Sequence, residues 1–301
     1  FADAHYNLGS ILRDLGKLKD AELSTRKAIE LKTDFAKAYH LLSRMKYSDE
    51  NKIWQDQLFS DSILKNKSQK DHVDIYFARA NILHKEKNYE NSSKFLKLAN
   101  QFKLILHPSK ADSLINQSKV LLIESDKQDF NQKEQPHYPQ SIFIVGMPRS
   151  GSTLLESILS LNPGVDDLGE STILQESLLD NIKGTQELTL AERYWNKIKD
   201  RKIQANKTTN KLLYNYQYAG IIAKQIPNAK IIHCYRNPLD NILSIFRAHF
   251  SNGNEYSSSL VDCARVYLNQ EEIMTEYKNR YRSKIYALNY DLLVSNPNTE
   301  I

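Results

Sequence analysis

Along the first third of the chain, apolar positions recur at helical spacing. In "ADAHYNLGSILRDLGKLKDAELSTRKAIELKTD" the small residues Ala4, Gly9, Ala21 and Ala28 share the apolar stripe with the large Leu8, Leu12, Leu18 and Leu31. This pattern predicts paired amphipathic helices whose small positions permit close approach, and Gly16 fits the turn between them. The pattern restarts at "FAKAYHLL", where Ala36 and Ala38 take the places of Ala2 and Ala4, and soon turns irregular. It returns in "VDIYFARANILHKEKNYENSSKFLKLANQFK" with Ala80, Tyr89, Ser92 and Ala99. Between about Ser109 and Gln140 the texture changes, and "ESDKQDFNQKEQPHYPQ", with Pro136 and Pro139, reads as a connection. Beyond it, "SIFIVG", "KIIHCY" from Lys230 and "KIYALNY" from Lys284 are short β-rich apolar runs separated by helical stretches. Their alternation predicts an α/β domain with a mainly parallel sheet.

The helical spacings resemble the tetratricopeptide repeat, a helix–turn–helix unit of about 34 residues. Repeats of this kind stack into a solenoid whose concave side often binds peptides, so a peptide or protein partner is expected there. An ordinary helical bundle is the alternative. The organisation expected is a repeat region over 1–125, a linker over 126–140 and an α/β domain over 141–301.

The stretch with most chemistry is "SIFIVGMPRSGSTLLESIL". A strand, a tight glycine loop and a helix start together make an anion site, because backbone N–H groups converge there and the helix dipole favours negative charge. Gly146, Gly151 and Thr153 stand where the nucleotide-binding pattern G-x-x-x-x-G-K-[ST] wants them, but Ser152 occupies the lysine position. Gly151 allows close backbone approach, Ser152 and Thr153 add hydroxyl donors, and Arg149 offers a planar fork for an oxyanion. The following helix is expected to bury Leu154, Leu155, Ile158 and Leu159. The run "KIIHCYRNP" ends in Arg236, where an enzyme using a nucleoside triphosphate and magnesium would want an acid.

Composition narrows the ligand class. With 41 basic and 36 acidic side chains the net charge is +5, too diffuse to indicate nucleic acid. Two cysteines, Cys234 and Cys263, make no disulfide framework, so a cytoplasmic setting is expected rather than an extracellular scaffold. No apolar run is long enough for a membrane span. The histidines show no metal-ligand spacing, so no metal is expected, and His233 and Cys234 read as core. Because the chain opens on Phe1 and stops at Ile301 after an expected strand, it is expected to be cut from a longer protein and truncated at its C-terminus.

"VGMPRSGSTLL" resembles the 5′-phosphosulfate loop of the sulfotransferases that use 3′-phosphoadenosine-5′-phosphosulfate, above all the tyrosylprotein branch and its bacterial relatives with upstream tetratricopeptide repeats. In "IIHCYRNPLDNILSIFRAHF", Arg236 ends a strand and Ser244 follows on a helix that Asn237 can cap and Pro238 can begin. The resemblance spans about half the chain. It implies that Arg149, Ser150, Gly151, Ser152 and Thr153 hold the 5′-phosphosulfate and that Arg236 and Ser244 hold the 3′-phosphate, with Arg247 as a weaker candidate. It also implies that Glu170, in "DDLGES", is the general base, and that Arg149 and a lysine stabilise the transferring group. Asn206-Lys207 in "QANKTTNK" gives that lysine as Lys207, although Thr209 replaces the family's proline and Lys211 competes. Tyr290 is expected near the cofactor and Asp291 at the start of the next helix. The acceptor implied is a hydroxyl, a protein tyrosine among the candidates, and no metal is required. Two other readings stay open: a degenerate nucleotide fold serving the repeats as an interaction module, and a kinase or NTPase.

Overall fold

The computed structural model describes residues 1–45, 52–127, 139–182, 188–201, 206–250 and 253–300. The chain divides into two compact units, Phe1–Ser109 with Phe246–Ser259, and Lys110–Ile245 with Leu260–Ile301.

The first unit is helical: α1 (Ala2–Asp14), α2 (Leu18–Leu31), α3 (Ala36–Arg44), α4 (Ile53–Phe59), a 3₁₀ turn at Asp61–Leu64, α5 (Gln69–Lys85) and α6 (Tyr89–Leu106). The hairpins α1/α2 and α5/α6 turn at matching places, Gly16 at φ 74° and Lys87 at φ 62°. The small residues make the seams. A Cβ on Gly9 would lie 2.4 Å from Thr25 Oγ1, and Ser92 Oγ donates to the Ala80 carbonyl at 2.8 Å. Ala21 and Ala28 are fully buried, whereas Leu8, Leu18 and Leu31 stay 46%, 44% and 52% exposed. Leu12 packs against the core, but the other three leucines do not line the seam, because a seam this close has room only for small side chains.

The stretch Phe246–Ser259 completes this unit. Phe246 packs among Val73, Phe77, Ala80, Leu96 and Ala99, and Asn100 Nδ2 donates to its carbonyl at 3.0 Å. The His249 ring stands edge-on to Phe77 at 4.7 Å and 4.9 Å from the ring of His40. His249 Nε2 lies 3.5 Å from Asp74 Oδ1.

The second unit opens with α7 (Ala111–Lys127) and continues with β1 (Gln140–Gly146), α8 (Ser152–Leu159), β2 (Val165–Asp167), α9 (Ile173–Ile182), α10 (Leu190–Lys199), β3 (Lys207–Asn210), α11 (Ala219–Gln225), β4 (Ala229–Tyr235), α12 (Pro238–Phe246), α13 (Leu260–Arg280), β5 (Ile285–Asn289), α14 (Tyr290–Ser295) and α15 (Pro297–Glu300). The sheet runs β2-β3-β1-β4-β5, and every pairing is parallel. β1 is buried on both faces: Phe143 and Val145 point into a core with Tyr194, Trp195 and Tyr216, and Ile144 into one with Leu155, Cys234 and Leu288. A strand alternates its side chains, so an unbroken apolar run is what two cores require.

The helix α7, which the periodicity attaches to the repeats, packs within this second unit. Ser118 Oγ meets Tyr216 OH at 3.0 Å, Gln217 Nε2 donates to Ser118 Oγ at 2.8 Å, and a Cβ on Gly220 would come within 2.7 Å of Ser125. Its buried positions Ala111, Ser118 and Ser125 form a small-residue line that suits a close neighbour. Most of the connection expected over 126–140 lies outside the described residues. β1 has β3 on one side and β4 on the other. Chain order reverses there, which opens a crevice at the carboxyl ends of these strands.

Candidate functional site

The loop after β1 fills that crevice. Gly146 sits at φ 144° and Gly151 at φ 91°, and neither has room for a side chain. A Cβ on Gly146 would lie 2.3 Å from the Cys234 carbonyl oxygen, and one on Gly151 would lie 2.0 Å from the Tyr290 ring. Arg149 between them takes a left-handed φ of 70°, uncommon for a side-chain-bearing residue. The turn is pinned by Asn241, whose buried Nδ2 donates to the Pro148 carbonyl at 3.1 Å. Ser150 and Ser152 are buried and Thr153 is exposed. Ser150 Oγ is buried with no hydrogen-bond partner among the described residues.

The second motif stands against the first. Arg149 Nε donates to Ser244 Oγ at 3.2 Å. Asn237 Oδ1 caps α12 by accepting from the N–H groups of Leu239 and Asp240 at 3.0 and 3.3 Å. Its own N–H donates to Asp291 Oδ2 at 2.9 Å. Asp291 therefore ties the end of β4 to α14. Arg236 lies with its guanidinium 5.0 Å from the centre of the Tyr290 ring, its Nε 3.7 Å from Asp291 Oδ1, and its carbonyl accepts from Tyr267 OH at 3.0 Å. Arg149, Gly151, Ser152, Thr153, Leu154, Arg236 and Tyr290 line a cleft of about 200 Å³. That is below the size of a typical small-molecule pocket and suits the phosphate-bearing part of a larger ligand.

A third constellation surrounds Lys211. The Lys211 N–H bonds the Gly169 carbonyl at 2.8 Å, which brings Glu170 alongside. Lys211 Nζ donates to Glu170 Oε1 at 2.9 Å and lies 3.9 Å from Glu156 Oε2. Glu156 Oε1 accepts from Thr209 Oγ1 at 3.1 Å. The lysine side chain is 7% exposed, against 69% for Glu170. Burial pushes the Glu156 carboxyl above the usual carboxylate range, with Lys211 and the Thr209 hydroxyl pulling it back.

Lys207 does not belong to this site. It pairs with Gln140 at the start of β1, while the glycine loop follows the end of β1 at Gly146. Six residues of strand separate the two levels, about 20 Å. The competitor Lys211, one residue past β3, occupies the carboxyl end. Thr209, which departs from the expected proline, is a strand residue serving Glu156. The helix pattern also needs correction: Leu155 is buried as expected, but Glu156 takes the inner face while Leu154 is exposed and lines the cleft. Positions 152, 155, 156 and 159 carry the i, i+3, i+4, i+7 spacing of a buried face, so the signal for Glu156 was in the sequence.

Arg247 groups with the helical unit. His233 is fully buried, with Nε2 2.7 Å from Gln270 Nε2. Cys234 is buried, its thiol pushed up to about 12 by desolvation. Among the described residues no group of three His, Cys, Asp or Glu is placed to hold a metal, and no helix is long and apolar enough to cross a membrane.

Residues 139–208 and 180–301 match the family model described as "Sulfotransferase family". Residues 2–35 and 73–103 match a tetratricopeptide-repeat model, falling on the α1/α2 and α5/α6 hairpins. An uncharacterized protein of Aquifex aeolicus (strain VF5) is 27% identical over 179 residues, which cover 52% of this chain and 24% of the relative. The chain thus matches about a quarter of that relative's length.

Proposed function

Because the chain belongs to the sulfotransferase family, with tetratricopeptide repeats ahead of the family domain, we propose that it transfers a sulfuryl group from 3′-phosphoadenosine-5′-phosphosulfate to a protein tyrosine. The observation that carries this reading is the contact of Glu170 with Lys211 at 2.9 Å. It supplies an exposed carboxylate and a buried cation at the carboxyl end of the sheet, where the two phosphate motifs also meet. Ser150 Oγ, unpartnered among the described residues, the exposed Arg149 and the N–H groups at Gly151, Ser152 and Thr153 suit the 5′-phosphosulfate. Arg236 and Ser244 suit the 3′-phosphate. Tyr290, with its ring centre 5.0 Å from the Arg236 guanidinium, supports that cation through its π face.

The donor, when bound, supplies the activated sulfuryl group. Glu170 accepts the proton of the attacking hydroxyl, a role open to an exposed carboxylate within hydrogen-bond reach of an acceptor. Lys211 and Arg149 place positive charge where negative charge develops. Lys211 takes the role assigned from sequence to Lys207. The tyrosine acceptor is favoured by the Gly169-Glu170 pair and by repeats that suit a protein partner.

The test is transfer of ³⁵S from the labelled donor to tyrosine peptides and to matched peptides carrying phenylalanine. Label on the tyrosine peptides alone is the expected result, with turnover lost in Glu170→Gln. Label only on a sugar hydroxyl would overturn the acceptor. Calorimetry showing heat with ATP–Mg²⁺ but none with 3′-phosphoadenosine-5′-phosphate would overturn the donor.

A further inference from the structure

Lys211 is a buried cation, 7% exposed. A buried ammonium needs a fixed counter-charge, and removing its only partner leaves an uncompensated charge in low dielectric. Glu170 cannot be that partner throughout a turnover, because a base that has taken a proton is neutral. Glu156, which the proposed function does not use, meets the requirement. It sits on α8, the helix that opens from the glycine loop, and is 8% exposed. Thr209 Oγ1 holds one of its carboxylate oxygens at 3.1 Å, and the other faces Lys211 Nζ at 3.9 Å. That separation is an ion pair rather than a hydrogen bond, so the ammonium keeps its protons for Glu170 and for a ligand.

We propose that Glu156 is the counter-ion of Lys211, a positioning residue that keeps this ammonium charged and aimed while Glu170 cycles between carboxylate and acid. The proposal rests on the reading of Glu170 as base and Lys211 as the cation at the reacting group. Before proton transfer, the three groups carry one positive and two negative charges. After it, Glu156 and Lys211 remain as a neutral pair, so no lone charge is left buried. The bond from Thr209 ties α8, which opens from the glycine loop, to β3.

The test compares Glu156→Gln and Glu156→Asp in the full chain. Gln keeps an acceptor for Thr209 and removes only the charge. In Glu156→Gln, kcat should fall about tenfold or more while the affinity for 3′-phosphoadenosine-5′-phosphate stays within a few fold. Glu156→Asp, which keeps the carboxylate charge, should recover most of the lost kcat. A readout independent of turnover is the ¹⁵N–¹H signal of the Lys211 ammonium, present in the wild type, kept in Glu170→Gln and broadened away in Glu156→Gln. Should Glu156→Gln fail to fold, Thr209→Val frees the carboxylate without deleting it and should weaken the same signal. If the ammonium signal responds as stated but the wild type transfers no sulfuryl group, the proposed function fails and the counter-ion stands. If the wild type is active while its Gln variant keeps both the signal and kcat, the counter-ion role is wrong and the proposed function stands.

Discussion

Arg149 donates to Ser244 at 3.2 Å, joining the glycine loop to a helix residue 95 positions further along the chain. Residues in direct contact act as a unit, so their substitutions are not additive. Arg149→Ala and Ser244→Ala should each weaken binding of 3′-phosphoadenosine-5′-phosphate, and the double variant should lose less than the product of the two. A coupling energy of about 0.5–3 kcal/mol is expected from the double-mutant cycle, measured by calorimetry. Strict additivity would mean that the contact plays no part in binding.

The two lysines of "QANKTTNK" should separate cleanly. Lys211→Met should lower kcat by about 10²–10³, the usual cost of losing one donor at a developing charge. Lys207→Met, at the other end of β3, should stay within a few fold of wild type. The opposite ranking in steady-state kinetics would return the role to Lys207.

Gly151 is constrained twice, by its φ of 91° and by the ring of Tyr290. Gly151→Ala should weaken donor binding at least tenfold and cost about 1–3 kcal/mol of stability from backbone strain alone. Adding Tyr290→Ala removes the clash but not the strain. The double variant should therefore recover part of the stability in a urea titration and little of the affinity, since Tyr290 also supports Arg236. Full recovery of both would show that the ring contact is the whole constraint.

Acid stability of the helical unit should depend on a buried pair with opposing linkages. Burial raises the Asp74 carboxyl to about 6 and lowers His249 to about 4. Between pH 6.5 and about 4 the unfolded chain binds a proton at His249 that the folded chain refuses, so stability falls with pH. Between about pH 6 and 3.8 the folded chain holds a proton on Asp74 that the unfolded chain has released, so stability rises as pH falls. His40, held well below its usual range by burial, acts in the sense of His249. Asp74→Asn should lose stability on acidification more steeply than wild type, and His249→Asn less steeply. Parallel urea midpoints across pH 4–7 for all three proteins would refute the assignment.

Much of this architecture was legible because it depends on local pattern. Gly16 marked a turn, the run Ser141–Gly146 marked a strand buried on both faces, and Asn237 and Pro238 marked a helix start. These signals act within a few residues. The choice between Lys207 and Lys211 depends on register: two Asn-Lys pairs lie four residues apart, and only the pairing of Lys207 with Gln140 shows that they stand at opposite ends of one strand. Glu156 is hard to read from sequence for a different reason. A charged residue on an inner helix face reads as an exception until its partner is known, and Lys211 is 55 positions away in the chain. The three-residue β2 is too short for any period to show.

The stretch Phe246–Ser259, which belongs to the helical unit although its flanks belong to the other, bears on how such proteins can be assembled and cut. A fusion that exchanged residues 1–109 alone would graft foreign repeats onto a host still carrying the old plug, with Phe246 shaped for Val73, Phe77 and Leu96. A clean exchange needs two crossovers that keep both pieces together. The repeats are thus not a cassette in front of the sulfotransferase-family domain, and gene shuffling that treated them as one should yield chains that express poorly until the second piece travels with the first.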